Sequence, residues 1–187
     1  MKLYFVRHGE TTYNANNIYQ PATSELSQEG IEQAEFLAKR FIHIPIDILF
    51  SSDYTRASHT AQIINEKLKK EIIYTDLLRE IRRPSAFLEK TMADSEVREI
   101  QRQIREHIGD PFWHHSDEEN FFEVKKRAKN FLDILDERQE QHILAITHGF
   151  FMRVTVPLML FGERFTPDMF LGFRESFSLR NTGITIC

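Results

Sequence analysis

The chain has 187 residues and a single cysteine, Cys187. One cysteine permits no intrachain disulfide, which suits a reducing compartment. A cysteine at a terminal position, where chains are usually mobile, is also a poor nucleophile. Positive charge is not in excess. The 24 Lys+Arg face 28 Asp+Glu, for a net charge of −4, whereas a nucleic-acid binder needs a basic surface. Nucleic acid is therefore not expected as a partner. Long apolar runs are missing too. The most apolar stretch, Phe150 to Phe161, is interrupted by Arg153 and Pro157 and falls short of the ~20 residues that cross a bilayer. No membrane partner is expected. The first residues lack the basic and apolar segments of a signal peptide, so a cytoplasmic location is expected. With only 7 glycines and 6 prolines, the chain offers no Gly/Ser linker, and it shows no repeat or low-complexity tract. Its length fits one domain spanning 1–187, and 41% apolar residues suffice for a core.

Short apolar runs read as strands at Lys2–Val6, Ile46–Phe50, Ile72–Thr75, His142–Thr147 and Gly183–Ile186. Most are apolar throughout, as strands covered on both faces should be. Helical patterns lie between them at Gln28–Ile42, capped by Ser27, and at Asp53–Lys70, Phe121–Arg138 and Phe150–Phe161. Strand–helix alternation predicts an α/β fold in three layers, α/β/α, with a mostly parallel central sheet. Asp76 to Gln141 holds no convincing strand. Its portion at about 81–120 reads as a helical or irregular insertion that helps cover an active site.

Ligands of open α/β sheets sit beyond the carboxyl ends of the strands, and polar groups gather at those ends. Arg7-His8-Gly9 follows the first strand. Arg56 falls in the first turn of the helix after the second. Glu80 follows the third, and His148-Gly149 the fourth. Their chemistry is coherent. Two arginines can clamp a phosphoryl group, and an imidazole can attack phosphorus. A second histidine can donate to a non-bridging oxygen. A carboxyl group can protonate the leaving oxygen and then activate water. The glycines can let backbone N–H groups approach an anion.

The stretches "VRHGETTYN", "SSDYTRASHTA", "LRE" and "THG", in that order from Leu3 to about Thr185, resemble the histidine phosphatase superfamily, also called the phosphoglycerate mutase-like family. The resemblance implies that His8 is the phosphorylated nucleophile. Arg7, Arg56 and His148 bind the phosphoryl group, Glu80 is the general acid and base, and Asn14 adds a phosphate contact. It implies no metal and no other cofactor. Pro21 and the following "ATSE" depart from the family's usual pattern, so the rim of the site is expected to differ.

The implied activity is that of a metal-independent phosphatase acting on phosphomonoesters through phosphohistidine. A phosphoglycerate-type mutase would use the same residues. A non-catalytic phospho-ligand binding module would need neither His8 nor Glu80. Relatives of the mutase type are generally longer, which favours the phosphatase. In "REIRRPSAF", Pro84 biases Arg83 toward an extended conformation, and neighbouring side chains of an extended segment diverge. One of Arg82 and Arg83 is thus expected to reach a second anionic group on the small phosphorylated substrate. The rival is surface pairing with acids such as Glu89 and Asp94. His114, His115, Asp117 and Glu118 lack zinc-type spacing and read as a polar loop. His59 reads as structural. Seven phenylalanines between Phe150 and Phe177 read mainly as core, with an aromatic dimer patch as the alternative, so the protein is expected to be a monomer or homodimer.

Overall fold

The computed structural model describes all residues, 1–187. Five strands form one sheet: β1 (Lys2–Arg7), β2 (Ile48–Ser52), β3 (Ile72–Thr75), β4 (His142–Thr147) and β5 (Ile184–Ile186). Their order is β3-β2-β4-β1-β5. All neighbours are parallel except β5, which runs antiparallel to β1. The helices are α1 (Thr12–Ala15), α2 (Gln28–Phe41), α3 (Thr55–Leu68), α4 (Ser95–Glu106), α5 (Phe121–Asp136), α6 (Gly149–Phe161) and α7 (Pro167–Ser176).

Alternation along the buried strands divides the core. Leu3, Phe5, Ile48, Phe50, Ile143 and Ala145 join the cluster formed with α5, α6 and α7. Tyr4, Val6, Leu49, Leu144 and Ile146 face α2 and α3. Both faces are therefore apolar, which is why β1, β2 and β4 carry continuous rather than alternating runs. β3 and β5 lie at the edges and are only partly buried.

The expected three-layer architecture is present, with shifted boundaries. The second strand runs to Ser52 rather than Phe50, and its helix starts at Thr55 rather than Asp53. Fully buried Ser51 and Ser52 look like a cap in sequence but continue the ladder. α7 was not expected from the phenylalanine pattern, although Thr166 caps it and Pro167 opens it, a recognised start signal. The phenylalanines divide: Phe151, Phe165 and Phe170 are core, while Phe161 is exposed.

The segment at 81–120 contains α4 and a small apolar cluster of Phe87, Val97 and Ile100, packed against Tyr19. Backbone bonds join it to the loop after α1. Tyr19 N–H donates to Lys90 O at 3.0 Å, Glu89 N–H to Tyr19 O at 3.0 Å and Met92 N–H to Asn17 O at 2.9 Å. Two distant stretches thus form one roof over the carboxyl ends of the strands.

Candidate active site

Beneath the roof lies a cavity of about 460 Å³. Arg7, His8, Asn14, Arg56, Glu80, Arg82, Arg83, Gly149 and Arg153 all line it. β1 and β4 deliver the two histidines side by side, because Arg7 pairs with Thr147 in register. The His8 and His148 ring centres are 5.1 Å apart, and His8 N–H donates to Thr147 O at 3.0 Å.

His8 is 2% exposed. Its Nδ1 lies 2.7 Å from Gly9 O. A carbonyl only accepts, so Nδ1 carries the proton and the lone pair sits on Nε2. Arg56 Nε donates to that lone pair at 3.2 Å. Burial, then Arg56 and Arg7, hold the His8 pKa well below the ordinary imidazole value. The ring is a neutral, oriented base. His148 is fully buried, and burial followed by the Arg56 charge keeps it neutral as well. Its Nε2 lies 2.9 Å from Ser52 Oγ.

Arg56 Nη1 donates to Pro21 O at 3.1 Å and Ser24 Oγ at 3.2 Å. The segment that departs from the family pattern therefore orients an arginine rather than merely shaping the rim. Burial lowers the Arg56 pKa to about 10, with Glu80 opposing the shift, so the guanidinium stays charged at neutral pH. Arg7 Nη1 donates to Leu179 O at 2.7 Å. Two buried side-chain nitrogens have no partner, Arg7 Nε and His148 Nδ1. Both belong to this site.

Glu80 sits at the amino end of α6. One oxygen accepts from Ile81 and Phe151 N–H, both at 3.1 Å, and the other from Phe150 N–H at 3.1 Å. The carboxylate therefore fills the positive end of the helix dipole. Asn14 lies on α1, and its Oδ1 accepts from Asn181 Nδ2 at 3.3 Å.

The structure overturns one expectation and refines two. Gly9 does not offer its N–H to the cavity, because that N–H donates to Thr60 Oγ1 at 3.0 Å. Its missing side chain serves contact with α2: a Cβ on Gly9 would meet Gly30 O at 2.5 Å. Gly149 does line the cavity, but a Cβ there would sit 3.5 Å from Arg7 Nε, an ordinary contact. Of the arginine pair, Arg82 is exposed and tied to Asp117 O at 2.6 Å, whereas Arg83 is half-buried with its guanidinium 4.7 Å over the Phe150 ring. Neither arginine pairs with Glu89 or Asp94.

Arg153 was not among the candidates. It stands one turn after Gly149 on α6, half-buried, with Nε donating to Phe177 O at 3.1 Å. The signal was present: a lone arginine in an apolar helix, four residues from a site glycine, shares its face. In the loop read as polar, His114 pairs with Glu123 at 3.0 Å. Glu118 is buried and accepts from His115 and Ser116 N–H. His59 does not line the cavity.

The model of the histidine phosphatase superfamily (branch 1) matches residues 3–186. A protein of Hydrogenobacter thermophilus named "Putative phosphoserine phosphatase 2" is 28% identical over 167 residues, covering 84% of this chain and 78% of its own. "Probable phosphoglycerate mutase GpmB" of Escherichia coli is 31% identical over 163 residues, covering 86% of this chain and 75% of its own. Among solved structures, a histidine-to-alanine variant of Entamoeba histolytica phosphoserine phosphatase, in complex with phosphoserine, superposes with a TM-score of 0.79. It is 26% identical, and the match covers 99% of this chain and 89% of the other. With the family's model matching nearly end to end and the paired histidines meeting where its motifs lie, this chain belongs to the histidine phosphatase superfamily, branch 1.

Proposed function

We propose that the protein is a metal-independent phosphatase that hydrolyses phosphomonoesters through phosphohistidine on His8. The observation that carries this reading is the pair of unsatisfied buried nitrogens. Buried donors rarely go without an acceptor. Arg7 Nε and His148 Nδ1 both lack one; Arg7 lines the cavity with His8, and the buried His148 ring lies directly behind, 5.1 Å from the His8 ring. A phosphoryl group would satisfy both while presenting phosphorus to His8.

In the first step His8 Nε2 attacks phosphorus and the bond to the leaving oxygen breaks. Glu80 gives that oxygen a proton. Its oxygen with one backbone donor, rather than two, is the freer to carry it. Arg7 and Arg56 balance the charge on the phosphoryl oxygens, and Asn14 adds a contact. In the second step Glu80 takes a proton from water, the water oxygen bonds to phosphorus, and the P–N bond breaks to release phosphate.

The substrate we infer is small and carries a second anionic group. Relatives' structures are in complex with phosphoserine and 3-phosphoglyceric acid, each of which has a carboxylate beside its phosphate. Arg83 and Arg153 line the cavity without an acidic partner of their own and suit that role. The reading includes a cytoplasmic location, in keeping with the single cysteine. No helix is long and apolar enough to cross a membrane. The similarity to a protein named as a mutase keeps phosphoryl return to substrate as the second reading.

The test is a base quench during turnover of an aryl phosphate, followed by mapping of the label. Label on His8 is expected, with turnover falling on the order of 10³-fold or more in His8→Ala and persisting in EDTA. Near-normal turnover in that variant would sink the reading. Release of inorganic phosphate, rather than transfer to added phosphoglycerate, separates phosphatase from mutase.

A further inference from the structure

The two site histidines differ in how their tautomers are set. For His8 a carbonyl decides. For His148 the partner is a hydroxyl, which can donate or accept. We propose that Ser52 is a positioning residue that fixes His148 as the Nδ1–H tautomer, with its donor left for a phosphoryl oxygen.

Ser52 is fully buried at the end of β2, so bulk water does not reach it. Its Oγ has two neighbours. Tyr54 N–H, 3.3 Å away, can only donate to it. His148 Nε2, 2.9 Å away, is the one group able to accept its proton. If Nε2 carried the proton instead, Oγ would accept from both neighbours and its own proton would be stranded in a dry site, the costly arrangement for a buried polar group. The hydroxyl therefore donates to Nε2, and the imidazole proton lies on Nδ1. That nitrogen is one of the two buried ones without a partner. A neutral imidazole has one N–H, and this arrangement keeps it available.

The consequence rests on the reading that His148 binds the phosphoryl group. With the opposite tautomer, Nδ1 would present a lone pair to an anionic oxygen. Burial and the Arg56 charge hold the His148 pKa well below the ordinary imidazole value in the free site, so there the ring is neutral and its tautomer decides whether a donor or a lone pair meets an incoming phosphoryl oxygen.

Nitrogen NMR on ¹⁵N-histidine-labelled protein at neutral pH, without substrate, reads the tautomer directly. Expected is a pyrrole-type Nδ1 and a pyridine-type Nε2 for His148. The reverse assignment overturns the proposal. In Ser52→Ala, which removes only one oxygen, the His148 signals should move toward a mixture. Then kcat should fall about 10-fold, short of the 10²–10³ typical when a transition-state donor is removed outright, with KM for an aryl phosphate little changed. Ser52→Thr keeps the hydroxyl and should retain the tautomer. Thermal melting identifies any variant that fails to fold, and the wild-type spectrum then decides alone. An unchanged tautomer and unchanged kcat in folded Ser52→Ala would also overturn it. If His148→Gln keeps full activity while the wild-type spectrum shows Nδ1–H, the phosphoryl-binding reading fails and the role of Ser52 in the tautomer stands.

Discussion

His8 and His148 were legible because each closes an apolar run and precedes a glycine. Arg153 and Ser52 were not, for opposite reasons. Arg153 is masked by the apolar helix around it, and Ser52 by its resemblance to a helix cap. Arg82 and Arg83 illustrate the limit of residue-level reading. Extended geometry says that neighbours diverge, but not which one turns inward. That choice is made by Asp117, whose carbonyl accepts from Arg82, and by Phe150, whose ring lies under Arg83. A charge-assisted contact contributes about 1.5–3 kcal/mol, or roughly one to two decades in kcat/KM. Arg83→Ala should lose that much on a phosphate ester carrying a carboxylate and little on an aryl phosphate. The selective loss should shrink as salt rises. Arg82→Ala should treat the two substrates alike. Steady-state kinetics on both substrates check this, and equal losses in Arg83→Ala would move the second-anion site elsewhere.

At the scale of elements, Glu80 has two tasks that pull apart. As a cap it holds two backbone N–H groups at the start of α6, those of Phe150 and Phe151, besides the N–H of its neighbour Ile81. In its proposed role as an acid it would also have to carry a proton. Glu80→Gln keeps shape and an acceptor but delivers no proton. It should slow poor leaving groups far more than an activated aryl phosphate. Glu80→Ala also removes the cap, which costs about 0.5–2 kcal/mol and lowers Tm by several degrees. A melt of Glu80→Ala that matches wild type would show that the helix start does not depend on this carboxylate.

The Gly9–Gly30 contact makes a second case. In the third position of α2, alanine outranks glycine by roughly 1 kcal/mol in helix propensity. Yet a Cβ on Gly30 would sit 2.0 Å from Glu10 O and 2.8 Å from Glu10 N. Backbone cannot yield as a flexible side-chain tip can, and overpacking costs about 1–3 kcal/mol, so the steric term should win. Gly30→Ala is expected to lower both Tm and turnover, since relief of the clash shifts the corner that carries His8. A more stable, fully active variant would contradict the contact. Sequence reading assigned the glycine of "RHG" to anion approach because it sees only local neighbours, and Gly30 is distant in the chain.

Across the whole molecule, an acidic protein encloses a basic cavity. Arg7, Arg56, Arg82, Arg83 and Arg153 line it against Glu80 and Asp117, which focuses its field on anions. The sheet order was legible only as class, since register and edge positions depend on pairing between distant segments. The two neutral histidines also shape the response of the fold to acid. As pH falls through the ordinary imidazole value of 6.5, the unfolded chain takes up protons on His8 and His148 while the native state does not. Stability should therefore decline below that pH, at up to about 1.4 kcal/mol per pH unit for each ring. His114 has its pKa raised by Glu123 and works the other way, but it is exposed and screened. Urea unfolding at pH 7.5, 6.5 and 5.5 measures the slope, and His148→Gln should reduce it. A flat profile over that window would mean that the buried rings accept protons readily.

The corner around His8 is fastened by residues far along the chain. Asn181 Nδ2 donates to His8 O at 3.0 Å. Thr182 N–H donates to Arg7 O at 2.9 Å, from a backbone with φ of 54° that a β-branched residue seldom adopts. This clasp bears on how the enzyme is made. During translation His8, Arg56, Glu80 and His148 all emerge before Asn181 and Thr182 do. A nascent chain can therefore hold every reactive side chain while the main chain that aims the nucleophile is still unclasped. Phosphoryl chemistry on His8 would then wait until Asn181 and Thr182 reach the corner, and the order of synthesis would place folding ahead of activity.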